Sequence, residues 1–273
     1  MNMAKKSVRI RMYRQGLGDC FLLSFAADGN FQNASHVLVD CGTLGATTTG
    51  VKMKDVAADI EQTTSGKLAL LVATHEHLDH LSGFNSQRET FDSLKVGHSW
   101  VAWTENPGDD LAKKLRKYKG DLAVAALEAS GALSRSGGED SALTALAHGM
   151  SGVLSFVGDT KLGATFAEGV DEAMKYVASR APEGNREYLK PGIHLQPSWL
   201  PGVTVYVLGP PRDEKKIRNM GKHGDAELYE LSASSVSAFR AAAGLSARKG
   251  TFEDYSGSLG AAGRDEQIGR AHV

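Results

Sequence analysis

The chain has 273 residues, 41% of them hydrophobic and 23% charged, with a formal net charge of -1. That composition suits one large globular domain, or one domain with an insertion, and the balanced charge excludes a strongly basic nucleic-acid surface while leaving room for a local patch. No apolar run approaches the ~20 residues that span a bilayer, and no signal-peptide core follows the basic start Met1-Asn2-Met3-Ala4-Lys5-Lys6.

Ser7 to Tyr13 alternates in polarity and predicts a half-buried strand. Gly16-Leu17-Gly18-Asp19-Cys20 predicts a tight turn in which glycine supplies positive φ, and Phe21 to Phe25 the next strand. Asp28-Gly29-Asn30 turns the chain, and His36 to Asp40 predicts a third strand, ending at Cys41-Gly42. Two cysteines, Cys20 and Cys41, are too few for a disulfide scaffold; free thiols in a reducing cytoplasm are expected. Val51, Met53, Val56, Ala57 and Ile60 mark one face of a helix running to Thr63. Leu68 to Ala73 is short, apolar and bounded by Gly66-Lys67, as a buried strand is.

Directly after that strand comes Thr74-His75-Glu76-His77-Leu78-Asp79-His80, with three histidines and an aspartate within six residues. From an extended segment His75 and His77 can point the same way, and Asp79 and His80 can face a second position. Imidazole nitrogen and carboxylate oxygen are the ligands a catalytic zinc prefers. The alternative is a polar loop that happens to be histidine-rich. A helical His-Glu-x-x-His site is ruled out, because position i+4 from His75 or His77 is Asp79 or Leu81.

Beyond the motif, a helix is expected near Gln87–Leu94 and a strand at Ser99–Trp103. From about 109 to 181 the periodicity is mostly helical and predicts an insertion or lid beside the active-site edge. Val203 to Leu208 predicts a strand stopped by Gly209-Pro210-Pro211, and charged helices are expected from Asp213 and from Leu228.

His-x-His-x-Asp-His after a hydrophobic strand resembles the metallo-β-lactamase superfamily of metallohydrolases. Leu38-Val39-Asp40-Cys41-Gly42 resembles that family's strand ending in Asp-x-Gly. Gly16-Leu17-Gly18-Asp19 resembles a segment of the soluble hydrolase domain in the DNA-uptake competence branch. The resemblance implies an α/β (α+β) fold, an αββα sandwich with metal ligands on loops at one edge. It implies two zinc ions per complete site, one held by His75 and His77, the other by Asp79 and His80, with Asp79 also orienting the nucleophilic water. Asp40 would accept a hydrogen bond from a ligand histidine, or else cap backbone amides of a turn.

The family uses further ligands, and no His-His-Gly segment is present. Asp159, in Phe156-Val157-Gly158-Asp159, competes with a helix-end turn; His98, His148, His194 and His223 each compete with a core or surface role. Ile268-Gly269-Arg270-Ala271-His272-Val273 resembles the translated start of a sequencing adapter, so residues 1–267 are expected to be the N-terminal part of a domain and 268–273 a non-native tail. The functional expectation is a cytoplasmic zinc hydrolase acting on phosphodiesters, with nucleic acid or a small molecule as substrate. A thioester or lactone hydrolase is the alternative enzyme. A metal-binding but catalytically incomplete fragment is the alternative of another class.

Overall fold

The computed structural model describes residues 6–44, 50–119, 131 and 167–214. The chain divides into two compact units, Met1–Arg116 with Ser155–Pro211, and Lys117–Leu154 with Arg212–Val273. The main sheet, its helices and the candidate site all belong to the first unit.

The architecture is mixed α/β. Strands β1 (Ser7–Met12), β2 (Phe21–Ala26), β3 (Ser35–Val39), β4 (Lys67–Ala73), β5 (Lys95–Ala102) and β6 (Arg186–Leu189) form one six-stranded sheet in sequence order. The pairs β1–β2 and β2–β3 are antiparallel hairpin neighbours. From β3 onward the pairing is parallel, because helical crossovers return the chain to the same end of the sheet. Helix α1 (Met53–Thr64) links β3 to β4, and α2 (Leu78–Ser86) with α3 (Arg88–Ser93) links β4 to β5.

Both faces of the sheet centre are covered, which is why β4 reads as a nearly continuous apolar run rather than an alternating one. One core joins Leu22, Leu38, Leu71 and Ala73 to Val56, Ile60, Leu81 and Phe84 from the helices. The opposite core joins Val37, Leu70 and Trp100 to Leu200, with Trp199, Val203 and Val205 packed against it. A short hairpin, β7 (His194–Leu195) with β8 (Val205–Tyr206), frames that second core.

Three expectations change. The helix Ala167–Ser179 (α4) lies in the stretch read as a lid, yet Val170, Ala173, Met174 and Val177 are part of the main core. An apolar helical face predicts burial but does not say against what. The strand β1 presents Val8, Ile10 and Met12 outward, 52%, 63% and 72% exposed. Its opposite face carries Arg11, which hydrogen-bonds Asp59 of α1 together with Tyr13, the residue just after the strand. The Val203–Leu208 strand shrinks to Val205–Tyr206 and pairs outside the main sheet. The remainder of the 109–181 stretch falls mostly outside the described residues, as do the expected helix from Leu228 and the tail 268–273.

Helix α1 ends on Ser65, a non-glycine residue at φ 50, followed by Gly66 at φ 71. An L side chain in the left-handed region costs about 1–2 kcal/mol. Ser65→Gly is therefore expected to raise unfolding stability by up to about 1 kcal/mol, read by urea denaturation, with no change at the site described next.

Candidate metal centre

Strands β3 and β4 run parallel, so their C-terminal ends emerge at one edge of the sheet; β2 is antiparallel to β3, so the turn preceding it reaches the same edge. Asp40, the His75–His80 segment and Asp19 thereby meet, although they are distant in sequence. Backbone hydrogen bonds tie the three segments together. Asp19 N–H donates to the Asp79 carbonyl (3.0 Å), Gly42 N–H to that of Asp19 (3.1 Å), Cys41 N–H to that of His80 (2.8 Å), and Gly83 N–H to that of Cys41 (2.9 Å). The wholly buried Gln15 amide donates to the carbonyls of Gly18 (3.1 Å) and Gly42 (2.8 Å). Two glycines admit this approach. A Cβ on Gly18 would lie 2.5 Å from the Asp79 carbonyl oxygen, and one on Gly42 at 2.6 Å from the His80 nitrogen. Gly16 and Gly18 do adopt positive φ, 129° and 151°.

The motif is not a single loop. His75 and His77 lie in extended and turn backbone, whereas Asp79 and His80 form the first turn of α2, whose N-cap is His77. A carboxylate in a first helical turn is favoured by the helix dipole. The three imidazoles converge: ring centroids are 4.4 Å apart for His75 and His77, 4.0 Å for His75 and His80, and 6.5 Å for His77 and His80. Asp79 Oδ2 is 3.4 Å from His80 Nε2. Asp79 Oδ1 is buried with no hydrogen-bond partner.

Asp40 sits beneath this cluster, 2% exposed and at φ 55. Its Oδ1 accepts from Thr74 N–H (2.8 Å); its Oδ2 accepts from the Thr74 hydroxyl (2.6 Å) and lies 2.9 Å from His80 Nδ1. Asp40 thus accepts from the Thr74 backbone amide and contacts a motif histidine, His80. The hydrogen bond that His80 makes to the Asp40 carboxylate raises the His80 pKa against the opposing effect of burial. Burial and the neighbouring His80 lower that of His75 against the opposing pull of Asp40, Asp79 and Asp19, and this favours its neutral form.

The donor types, imidazole nitrogen and carboxylate oxygen, are those a zinc-like cation accepts. Two ligands on one tetrahedral zinc are about 3.3 Å apart for bonds of 2.0–2.1 Å, and Asp79 Oδ2 and His80 Nε2 are separated by 3.4 Å. The unsatisfied Asp79 Oδ1 leaves that carboxylate with acceptor capacity to spare. Asp19, Asp40 and His80 also bring one ligand atom each within 4.8 Å of one another and could hold a cation. We favour Asp40 as the orienting group, because both its oxygens already accept hydrogen bonds and His80 Nδ1 faces it, leaving Nε2 outward.

The structure thus brings together His75, His77, Asp79, His80 and Asp40. It adds Asp19, whose half-exposed carboxylate lies 3.7 Å from His80 Nδ1. The Gly-x-Gly-Asp turn was the available signal for Asp19, but as a turn motif it says nothing of a ligand. His98 does not join the cluster. It pairs with Leu70 on β4, three residues before the strand end at Ala73, so about 10 Å back along the sheet. There it stacks on Trp199 at 4.2 Å, and burial lowers its pKa. His194 lies on β7 against Tyr206. His148, Asp159 and His223 lie outside the described residues. Among the described residues no helix is long and apolar enough to cross a membrane. No family model, curated protein or solved structure matches the chain.

Proposed function

We propose that this chain carries a metallo-β-lactamase-like zinc centre and hydrolyses a phosphodiester. The observation that carries the metal reading is the convergence of three imidazoles with Asp79, whose Oδ2 is spaced from His80 Nε2 as two ligands of one cation are. His75 and His77 would hold one zinc, Asp79 and His80 the second. Zinc so held supplies Lewis acidity and a water acidified toward neutral pH. The chain's own groups have separable tasks. Asp79, with one oxygen toward His80 and the other unpaired, orients the attacking water and takes its hydrogen bond. Asp40 holds His80 in place from below. The sheet-edge position supports this assignment, since ligands of open α/β sheets gather outside the carboxyl ends of parallel strands.

The phosphodiester preference rests on the likeness of Gly16-Leu17-Gly18-Asp19 to the competence branch, and so on analogy. A thioester or lactone hydrolase uses the same metal chemistry, and Leu17, 69% exposed on the turn that carries Asp19, would suit an apolar acyl group. The four motif residues give each metal two protein ligands, where a catalytic zinc ordinarily takes three. Zinc binding without turnover would therefore identify a binding module.

Asp79→Asn is the direct test. It is expected to weaken zinc binding and to lower hydrolysis of a chromogenic phosphodiester by about 100-fold or more, with folding intact by circular dichroism. Thioester and lactone substrates are assayed in parallel to separate the two enzyme readings. Hydrolysis that ignores both chelator and the Asn substitution would refute the metal reading.

A further inference from the structure

Thr74 precedes the histidine cluster and has so far entered only as a donor to Asp40. Its hydroxyl lies 2.6 Å from Asp40 Oδ2 and 2.9 Å from His75 Nδ1. The directions of these bonds are forced. Asp40 receives three contacts, from Thr74 N–H, the Thr74 hydroxyl and His80 Nδ1, and an ionised carboxylate can only accept. The single hydroxyl proton of Thr74 is therefore committed to Asp40. Toward His75 the hydroxyl oxygen can only accept, so His75 carries its proton on Nδ1. By the same logic His80 carries its proton on Nδ1. The Nε2 atoms are the remaining ring nitrogens, and that of His80 faces Asp79 Oδ2 at 3.4 Å.

We propose that Thr74 is a positioning residue that relays the Asp40 carboxylate to His75, so that one buried carboxylate sets the ligating nitrogen of one histidine in each metal position. The inference rests on the metal reading for its purpose, but its proton arrangement belongs to the metal-free chain. Asp40 follows β3 in left-handed backbone, φ 55, with its carboxylate bonded to both Thr74 and His80. Residues bonded behind metal ligands in this way change metal affinity by about 10–100-fold when removed.

The relay predicts a different outcome for each of three substitutions. In Thr74→Val, which keeps the side-chain shape, His75 loses its acceptor and its tautomer is released, while His80 stays protonated on Nδ1. In Thr74→Ser the hydroxyl is restored and both rings behave as in the wild type. In Asp40→Asn the Oδ1 position must remain an oxygen to accept Thr74 N–H, which places the amide NH2 at the former Oδ2. That group donates to Thr74, frees the hydroxyl proton to donate to His75 Nδ1, and donates to His80 Nδ1. Both rings then switch to the Nε2–H form, the one that cannot ligate through Nε2.

The readout is the tautomer of each imidazole, from long-range proton–nitrogen NMR spectra of the full metal-free chain at a pH high enough that both rings are neutral. Zinc titration of the same four proteins accompanies it. Expected are a shift of His75 alone in Thr74→Val with about 10–100-fold weaker zinc binding, wild-type behaviour in Thr74→Ser, and a switch of both rings in Asp40→Asn. An unchanged His75 in Thr74→Val overturns the relay, as does a Ser variant that behaves like Val, or a Val variant that shifts His80 equally. Wild-type chain that shows these tautomers but takes up no zinc would instead refute the metal reading and leave the relay standing.

Discussion

The double variant His75→Ala/His77→Ala is expected to lose most of the zinc that the wild-type chain retains after dialysis, as measured by elemental analysis. Removing a residue that merely supports a ligand costs about 10–100-fold in affinity, so removing the two histidines proposed to hold one zinc is expected to cost more than about 100-fold. The substitution is also expected to disturb His80, because His75 lies against it with ring centroids 4.0 Å apart. Both histidines are only partly buried, so the fold should survive, and circular dichroism provides the check. Unchanged metal content in a folded double variant would show that these imidazoles are not ligands. It would direct attention to the group of Asp19, Asp40 and His80.

A second large effect is expected away from any ligand. Gly42→Ala places a Cβ 2.5 Å from the Asp79 carbonyl oxygen and 2.6 Å from the His80 nitrogen. Both neighbours are backbone atoms of the first turn of α2, so no side chain can swing aside to make room. Either the strand end or the helix start must move. Overpacking a close-packed interior typically costs 1–3 kcal/mol and more where backbone must yield, so a loss of about 3 kcal/mol is expected, roughly 6–12 °C in Tm. Displacing α2 also carries Asp79 and His80 away from His75 and His77, so zinc affinity should fall together with stability. Gly184→Ala is the control, because a Cβ there meets nothing within 4 Å. Equal melting temperatures for the Gly42 and Gly184 variants would mean that the junction of the three segments is looser than its contacts indicate.

Some of this was readable from residue order alone. The run Leu68–Ala73 is continuous and apolar because both faces of β4 are covered, and β4 follows it closely as Lys67–Ala73. The density of ligand-type residues after it marked the place where the imidazoles converge. The stretch 203–208 and the helix Val51–Thr63 were legible in kind, with ends displaced to Val205–Tyr206 and Met53–Thr64. The start of α2 at Leu78 was not legible, since its N-cap is a histidine that makes no side-chain capping bond, and the usual Ser, Thr, Asp or Asn signal is missing.

Other features exist only through tertiary contact. Period-2 alternation marks two faces on β1 without saying which is inward; the Arg11 and Tyr13 bonds to Asp59 of α1 decided it, leaving Val8, Ile10 and Met12 outside. Helical periodicity in 167–179 showed an apolar face, while the parallel sheet supplied the surface that face covers. The roles of Asp19, Asp40 and Thr74 follow from strand direction. Because β3 and β4 run parallel and β2 antiparallel to β3, residues separated by 20 to 60 positions arrive at one sheet edge (the sequence carries their identities; the strand order sets their meeting). Hydrogen bonds of 2.6–2.9 Å among Asp40, Thr74, His75 and His80 need positions fixed to a fraction of an ångström, and only the packed backbone, held close by Gly18 and Gly42, supplies that.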